Sequence, residues 1–203
     1  LRLFATLEEK DRSTRVYDLA SQHLLWQIPE QNERAAEIKF LPNSHTLFVV
    51  CESSEKNIES TYTTGELVDV DTQSVRSIKL PKFETNYPLM FSEDGKLLVV
   101  YQQFSREVLV LNAETGEQVS QVNVVREKPG GLLPHSELLM LLGEGGELKF
   151  WDTRLSQYRA SLQIFDREAV LQAVLTDDGN TLIVLGDQGN IRFLGADRLR
   201  DDL

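Results

Sequence analysis

Short, nearly unbroken aliphatic runs return along this chain, each entered through a compact polar turn. They open at Leu47, Leu97, Leu138 and Leu182, inside the phrases "FLPNSHTLFVV", "FSEDGKLLVV", "LLPHSELLML" and "LTDDGNTLIV". Such runs suit strands buried on both faces. A second type of stretch is more alternating and more aromatic: "TRVYDL", "ELVDVD", "EVLVLN", "LKFWDT" and "NIRFLG". Aligned at Tyr17, Val70, Leu111, Trp151 and Leu194, these repeat the spacing of the aliphatic runs, about 40 to 50 residues. Two independent strand types therefore report one period.

A third stretch, "HLLWQIP", "VRSIKLP", "VSQVNVV" and "RASLQIF", is more polar, as an outer edge strand should be. The turns "SEDGK" and "TDDGN" place Gly95 and Gly179 where positive φ is required, and "NAETGE" is another hairpin signal. Helical patterning is nearly absent, and "NERAAEI" is the only plausible short helical turn. Units of this length built from short strands predict an all-β fold, a β-propeller of four-stranded antiparallel blades. With strands lettered a to d from the axis outward, the chain supplies b, c and d, then three full blades, then a, b and c. The predicted blades are approximately 1–35, 36–84, 85–127, 128–168 and 169–203, forming one partial propeller over 1–203. Four to five blades are fewer than common rings hold, so an open arc of a larger propeller is expected, with a compact five-bladed closure as the other reading. The segment "CESSEKNIESTYTTGE" reads as a solvated b–c insertion in the second blade.

Composition changes this picture mainly by exclusion. A net charge of −11, from 32 acidic against 21 basic residues, disfavours nucleic acid and an anionic membrane surface. No apolar run approaches the ~20 residues of a membrane helix. The opening "LRLFATLEEK" has no signal-peptide pattern and starts as if within a strand, so an excerpt of a longer protein is expected. Cys51 stands alone in "LFVVC" and reads as a small buried hydrophobe, which forbids an internal disulfide. The expected compartment is cytoplasmic.

Candidate chemistry is sparse. His23, His45 and His135 are scattered, with no metal-binding spacing. "TDDGN" lacks the ligand spacing of a calcium loop, and "GEGGE" lacks the Lys and Ser/Thr of a phosphate-binding loop. No nucleophile elbow occurs, and no acid–base pair can be picked from so many carboxylates by sequence alone. Trp26 and Trp151 fall on apolar strand faces and read as core. No catalytic residue, metal or cofactor is expected.

The segments "GELKFWDTRLSQYRASLQI" and "VLTDDGNTLIVLGDQGNIRFLGADR" resemble blades of WD-repeat propellers, which run from an "SPDGK"-like turn to a "D-G-x-I-R-x-W-D" strand. Trp151 and Asp152 form the one Trp-Asp pair, and Asp187 matches the tight b–c turn aspartate, which Glu144 replaces one blade earlier. No Gly-His pair opens a blade, so the resemblance is to divergent members. "REVLVLNAETGEQVSQVNVV" is also similar to repeats of bacterial propellers and lactonase-like enzymes.

The resemblance implies a non-catalytic scaffold, part of a larger protein or complex, whose d–a and b–c loops bind a protein partner and neither nucleic acid nor membrane. The alternatives are a regulatory or sensor propeller of a multidomain signalling protein and a lactonase-like enzyme. The d–a loops "PEQNERAAE", "LPKFETNYP", "VREKPGG" and "FDREAV" place Arg34, Lys82, Phe83, Tyr87, Arg126, Lys128 and Arg167 as candidate protein-binding residues, since arginine and aromatic side chains are favoured interface anchors.

Overall fold

The computed structural model describes residues 2–8, 13–28, 33–53, 62–81, 89–176 and 178–195. Among them there is no helix, and eighteen strands form five antiparallel meanders. The first sheet holds β1 (Leu3–Leu7), β2 (Thr14–Asp18) and β3 (Leu24–Ile28). The second holds β4 (Glu33–Phe40), β5 (Thr46–Ser53), β6 (Tyr62–Asp69) and β7 (Ser74–Pro81). The third is β8 (Met90–Phe91), β9 (Leu97–Gln102), β10 (Glu107–Asn112) and β11 (Gln118–Asn123). The fourth is β12 (Glu127–Leu132), β13 (Leu138–Gly143), β14 (Glu147–Asp152) and β15 (Gln157–Gln163). The last is β16 (Val170–Leu175), β17 (Thr181–Gly186) and β18 (Ile191–Gly195). The first two sheets form one compact unit with Ala113–Glu117, and the other three form a second.

The aliphatic runs became the second strands of four sheets, because burial on both faces is what they satisfy. In the second unit, Val99, Val108 and Val110 of the third sheet pack on Leu139, Leu141 and Trp151 of the fourth. The opposite face of the fourth sheet, with Met140, Leu142, Leu148 and Phe150, packs on Ala173, Leu182 and Val184. In the first unit, Val16 and Ile28 meet Leu47, Val49 and Val68. Each fully buried Leu or Val stabilises by about 1.5 to 3 kcal/mol, so face-to-face stacking is what holds neighbouring sheets together. The fifth sheet carries the same pattern on its far side: Ile183 pairs with Phe193, and Leu185 with Ile191. There Phe193 is 69% and Ile191 55% exposed.

Two local expectations are corrected. "NERAAEI" is not a helical turn, for Glu33–Phe40 pairs along its length with β5, from Glu33↔Ser53 to Phe40↔Leu47. Ladder pairing overrides the helix propensity of Arg, Ala and Glu. The repeat position assigned to Val70 belongs to Val68, which lies opposite Leu47 as Trp151 lies opposite Leu139. The turn explains the offset. Asp69 accepts from the Thr72 amide at 2.8 Å, as Asp152 accepts from those of Arg154 at 3.0 Å and Leu155 at 2.9 Å and Asp18 from those of Ala20 and Ser21. These turn amides hold all three carboxyls below their usual range. A bulge recurs just before this aspartate in two sheets, at Val16/Tyr17 and Phe150/Trp151, and before Asn112 in a third, at Val110/Leu111.

Candidate protein-binding surface

In the second unit, the b–c turns and d–a loops are sewn together by main-chain hydrogen bonds. Val124 N–H donates to Arg106 O at 2.8 Å, and Ile164 N–H to Gly146 O at 2.9 Å. On the other side of each loop, Glu144 N–H reaches Arg126 O and Asp187 N–H reaches Ala169 O, both at 3.0 Å. Each b–c turn ends on a left-handed residue: Arg106 (φ 56°), Gly146 (φ 85°) and Gly189 (φ 85°). Glycine takes this conformation freely, whereas a residue with a Cβ loses about 1 kcal/mol or more. The third sheet accepts that strain and keeps an arginine.

Loop 124–127 is fixed by its own carboxylate. Glu127 Oε2 accepts from Val125 N–H at 2.9 Å and Arg126 N–H at 3.0 Å, while Oε1 is bonded by the Lys149 ammonium. Lys149 also pairs with Glu147 at 3.1 Å. Burial acts to raise the Glu127 carboxyl, but the Lys149 ammonium and the two loop amides outweigh it and hold the group below its usual range. The hydrogen bond to Glu127 raises Lys149 in return, against its own desolvation. This brace turns Val125 outward, 71% exposed, beside an exposed Arg126. On the adjoining turn, Gln103–Arg106, Phe104 is 92% exposed. Among the described residues, neither Arg106 nor Arg126 has an ion-pair partner.

The next loop, 164–169, is closed. Glu168 is 5% exposed and takes the position that Val125 has one blade earlier. Its Oε1 accepts from Gln188 N–H at 2.9 Å and its Oε2 from Asn190 Nδ2 at 2.8 Å. It therefore holds the b–c turn that the sequence pattern had given to Asp187, which is exposed. Gly146 leaves no room either, since a Cβ there would lie 2.2 Å from the Phe165 carbonyl oxygen.

Of the residues proposed from sequence, Arg126 lies at the centre of the open rim and Arg167 is exposed on the closed loop with φ 60°. Lys128 is half-buried in β12 opposite Leu142, because "EKPGG" is strand rather than loop. Arg34 lies in β4, but its side chain is outside the described residues, as are Lys82, Phe83 and Tyr87. Phe104 and Val125, both exposed, were not among those candidates. The signal for Phe104 was present, an aromatic residue set among polar neighbours in "QQFSR".

His45 pairs with Asp71 at 2.9 Å and His135 with Glu93 at 3.1 Å, and Trp151 Nε1–H donates to Ser120 Oγ at 3.0 Å. Among the described residues, no three His, Cys, Asp or Glu side chains converge as metal ligands do. A cleft of about 420 Å3 at the other end of the fourth sheet is lined by Glu137, Asp152, Arg154, Leu155 and Arg159. Both of its arginines are already paired, Arg154 with Glu137 and Arg159 with Asp152. Among the described residues, no helix is long and apolar enough to cross a membrane.

No family model and no curated protein matches this sequence. Among solved structures, the chain is similar to the C-terminal WD40 domain of Sif2, with a TM-score of 0.59 at 12% identity. The match covers 94% of this chain and 51% of that one, so the chain spans about half the length of the structure it resembles, in accord with a partial propeller. At that identity the likeness is one of fold alone: with its five antiparallel sheets of three to four strands, this chain has the β-propeller type of fold seen in that WD40 domain.

Proposed function

We propose that this protein is a non-catalytic interaction scaffold, working within a larger protein or complex and binding a protein partner through residues 103–106 and 124–127. One observation carries the reading: Phe104 and Val125 stand in solvent on loops joined by main-chain hydrogen bonds, and Arg106 and Arg126 of the same loops have no ion pair among the described residues. Large apolar side chains exposed on an ordered frame are the material of interface anchors, because little ordering entropy is lost when a partner covers them. The WD40-like fold supports the same reading, as a platform whose loops face outward.

The test is a photo-cross-linking residue at Ser105, used in extract of the native host, with a second placed at Val75 on an edge strand as background. A discrete adduct at Ser105 that disappears in Phe104→Ser/Arg126→Glu, with the unfolding midpoint retained, is expected. The same adducts from wild type and variant, or none beyond the Val75 background, would reject the surface.

A further inference from the structure

We infer that the partner segment seated on this rim is acidic, with carboxylates flanking a large apolar side chain. The inference rests on the scaffold reading above and adds the chemistry of the partner. Two observations carry it independently.

The first is charge. The chain holds 32 acidic residues against 21 basic ones, and several of its cations are neutralised by a neighbouring carboxylate. Arg15, Arg76, Lys96, Arg154 and Arg159 are all ion-paired. Arg106 and Arg126 are exposed and carry no ion pair among the described residues. Of the carboxylates beside them, Glu127 is consumed by Lys149 and two amides and Glu107 accepts from Gln121 Nε2, while Glu144 on the neighbouring turn is exposed. A positive rim on a strongly negative protein attracts an acidic segment and repels a basic one.

The second is backbone. Among the described b–c turns, the two that follow place glycine at the left-handed position and the third sheet's holds a side chain there, as turns elsewhere in the chain do at Gln22, Asn43, Gln73, His135, Ser156 and Arg167. What Arg106 adds over glycine is a guanidinium on the same rim as Arg126, next to Phe104. Arginine forms bidentate bonds to carboxylates, and an exposed phenyl ring offers the apolar contact between them.

The experiment is selection of a random peptide library displayed on phage against wild type, Arg126→Glu and Arg106→Gly. Wild type is expected to enrich sequences with Asp or Glu on both sides of Leu, Ile or Phe, and both variants to lose them. A synthetic peptide of that consensus should bind about tenfold more weakly to each variant. Arg106→Gly is the informative change, because it relieves backbone strain and should leave the thermal midpoint equal or higher while binding falls. A structural role for Arg106 predicts the opposite, a lower midpoint with binding intact. A neutral or basic consensus, equal binding by Arg106→Gly, or no enrichment overturns the acidic assignment. So does Arg126-dependent binding to anionic vesicles or RNA without peptide selection. If the Ser105 adduct persists while the consensus is not acidic, the scaffold surface stands and only its partner chemistry fails.

Discussion

Loops 124–127 and 164–169 hang from the same backbone bonds and end in opposite surfaces. Each receives its first amide bond from a left-handed turn residue behind it, and each offers a carbonyl to the turn ahead. In the first loop the brace comes from Glu127, inside the strand, and the position before Arg126 is given to an exposed valine. In the second, that position belongs to Glu168, which folds inward and seals the turn ahead of it. One carboxylate displaced by two positions thus decides whether a rim is open or closed. The backbone frame is common to both; the exposed apolar and basic side chains are a local departure from it.

The sharpest test of closure is Gly146→Ala. The added Cβ would sit 2.2 Å from the Phe165 carbonyl and 2.8 Å from that of Glu168, both backbone atoms, on top of the left-handed penalty. We expect a loss of about 3 kcal/mol in urea unfolding. At Arg106 a Cβ is already tolerated, so Arg106→Ala should change stability by less than about 1 kcal/mol. Equal costs at both sites would mean that the two turns are packed alike and that the contrast is wrong.

Removing the two carboxylates should separate stability from binding. Glu168→Ala leaves the Gln188 amide and the Asn190 side chain, both on an exposed turn, without their buried acceptor, at a cost of about 1 to 2 kcal/mol. Partner binding at the Ser105 rim should be untouched. Glu127→Ala removes the brace beside exposed groups that water can serve, and Lys149 keeps Glu147, so about 1 to 2 kcal/mol is expected. Here binding should fall by more than stability, because Val125 and Arg126 lose their fixed placement. Parallel denaturation and peptide titration would expose any exchange of these roles.

The same brace sets a pH dependence. The Glu127 carboxyl is held below its ordinary value of 4.5, so its contribution is complete above that value and is lost as pH falls through the depressed one. Lys149 is raised above 10.5, so its contribution is complete below that value and is lost as pH rises through the elevated one. The stability difference between wild type and Glu127→Gln should therefore be flat from pH 6 to 9 and shrink below about pH 4.5. A difference that grows on acidification would show that the carboxylate destabilises the loop.

The closed and open rims were unequally legible in the amino-acid sequence. The period of the sheets could be read because aliphatic runs such as Leu138–Gly143 answer a requirement repeated in every blade, burial on both faces. Arg126 could be placed in an exposed d–a loop because "VRE" follows the polar edge strand "VSQVNVV". The shift from Val70 to Val68 escaped, since only the Asp69–Thr72 bond tells which aspartate ends the strand. Lys128 was placed in the loop because "KPGG" reads as a breaker, whereas the ladder absorbs it through a bulge between Pro129 and Gly131. Glu127 and Glu168 were unreadable for a different reason. Among 32 acidic residues, only geometry distinguishes a carboxylate that braces a loop from one that faces water.

Glu144 gives the finest probe of the open rim. Its amide is bonded to the Arg126 carbonyl, and its exposed side chain is the acidic group at this edge that the brace does not neutralise. An acidic partner meets that carboxylate as a repulsion, so Glu144→Lys should tighten binding of the acidic consensus peptide by about two- to fivefold at low salt. The gain should fade as ionic strength approaches ~0.5 M, where exposed charges are screened within a few ångströms. Unfolding should move by less than about 0.5 kcal/mol, since the side chain is on the surface and the backbone bond is kept. Binding that weakens in Glu144→Lys would instead make the glutamate a partner contact and reverse the sign of the charge the rim selects.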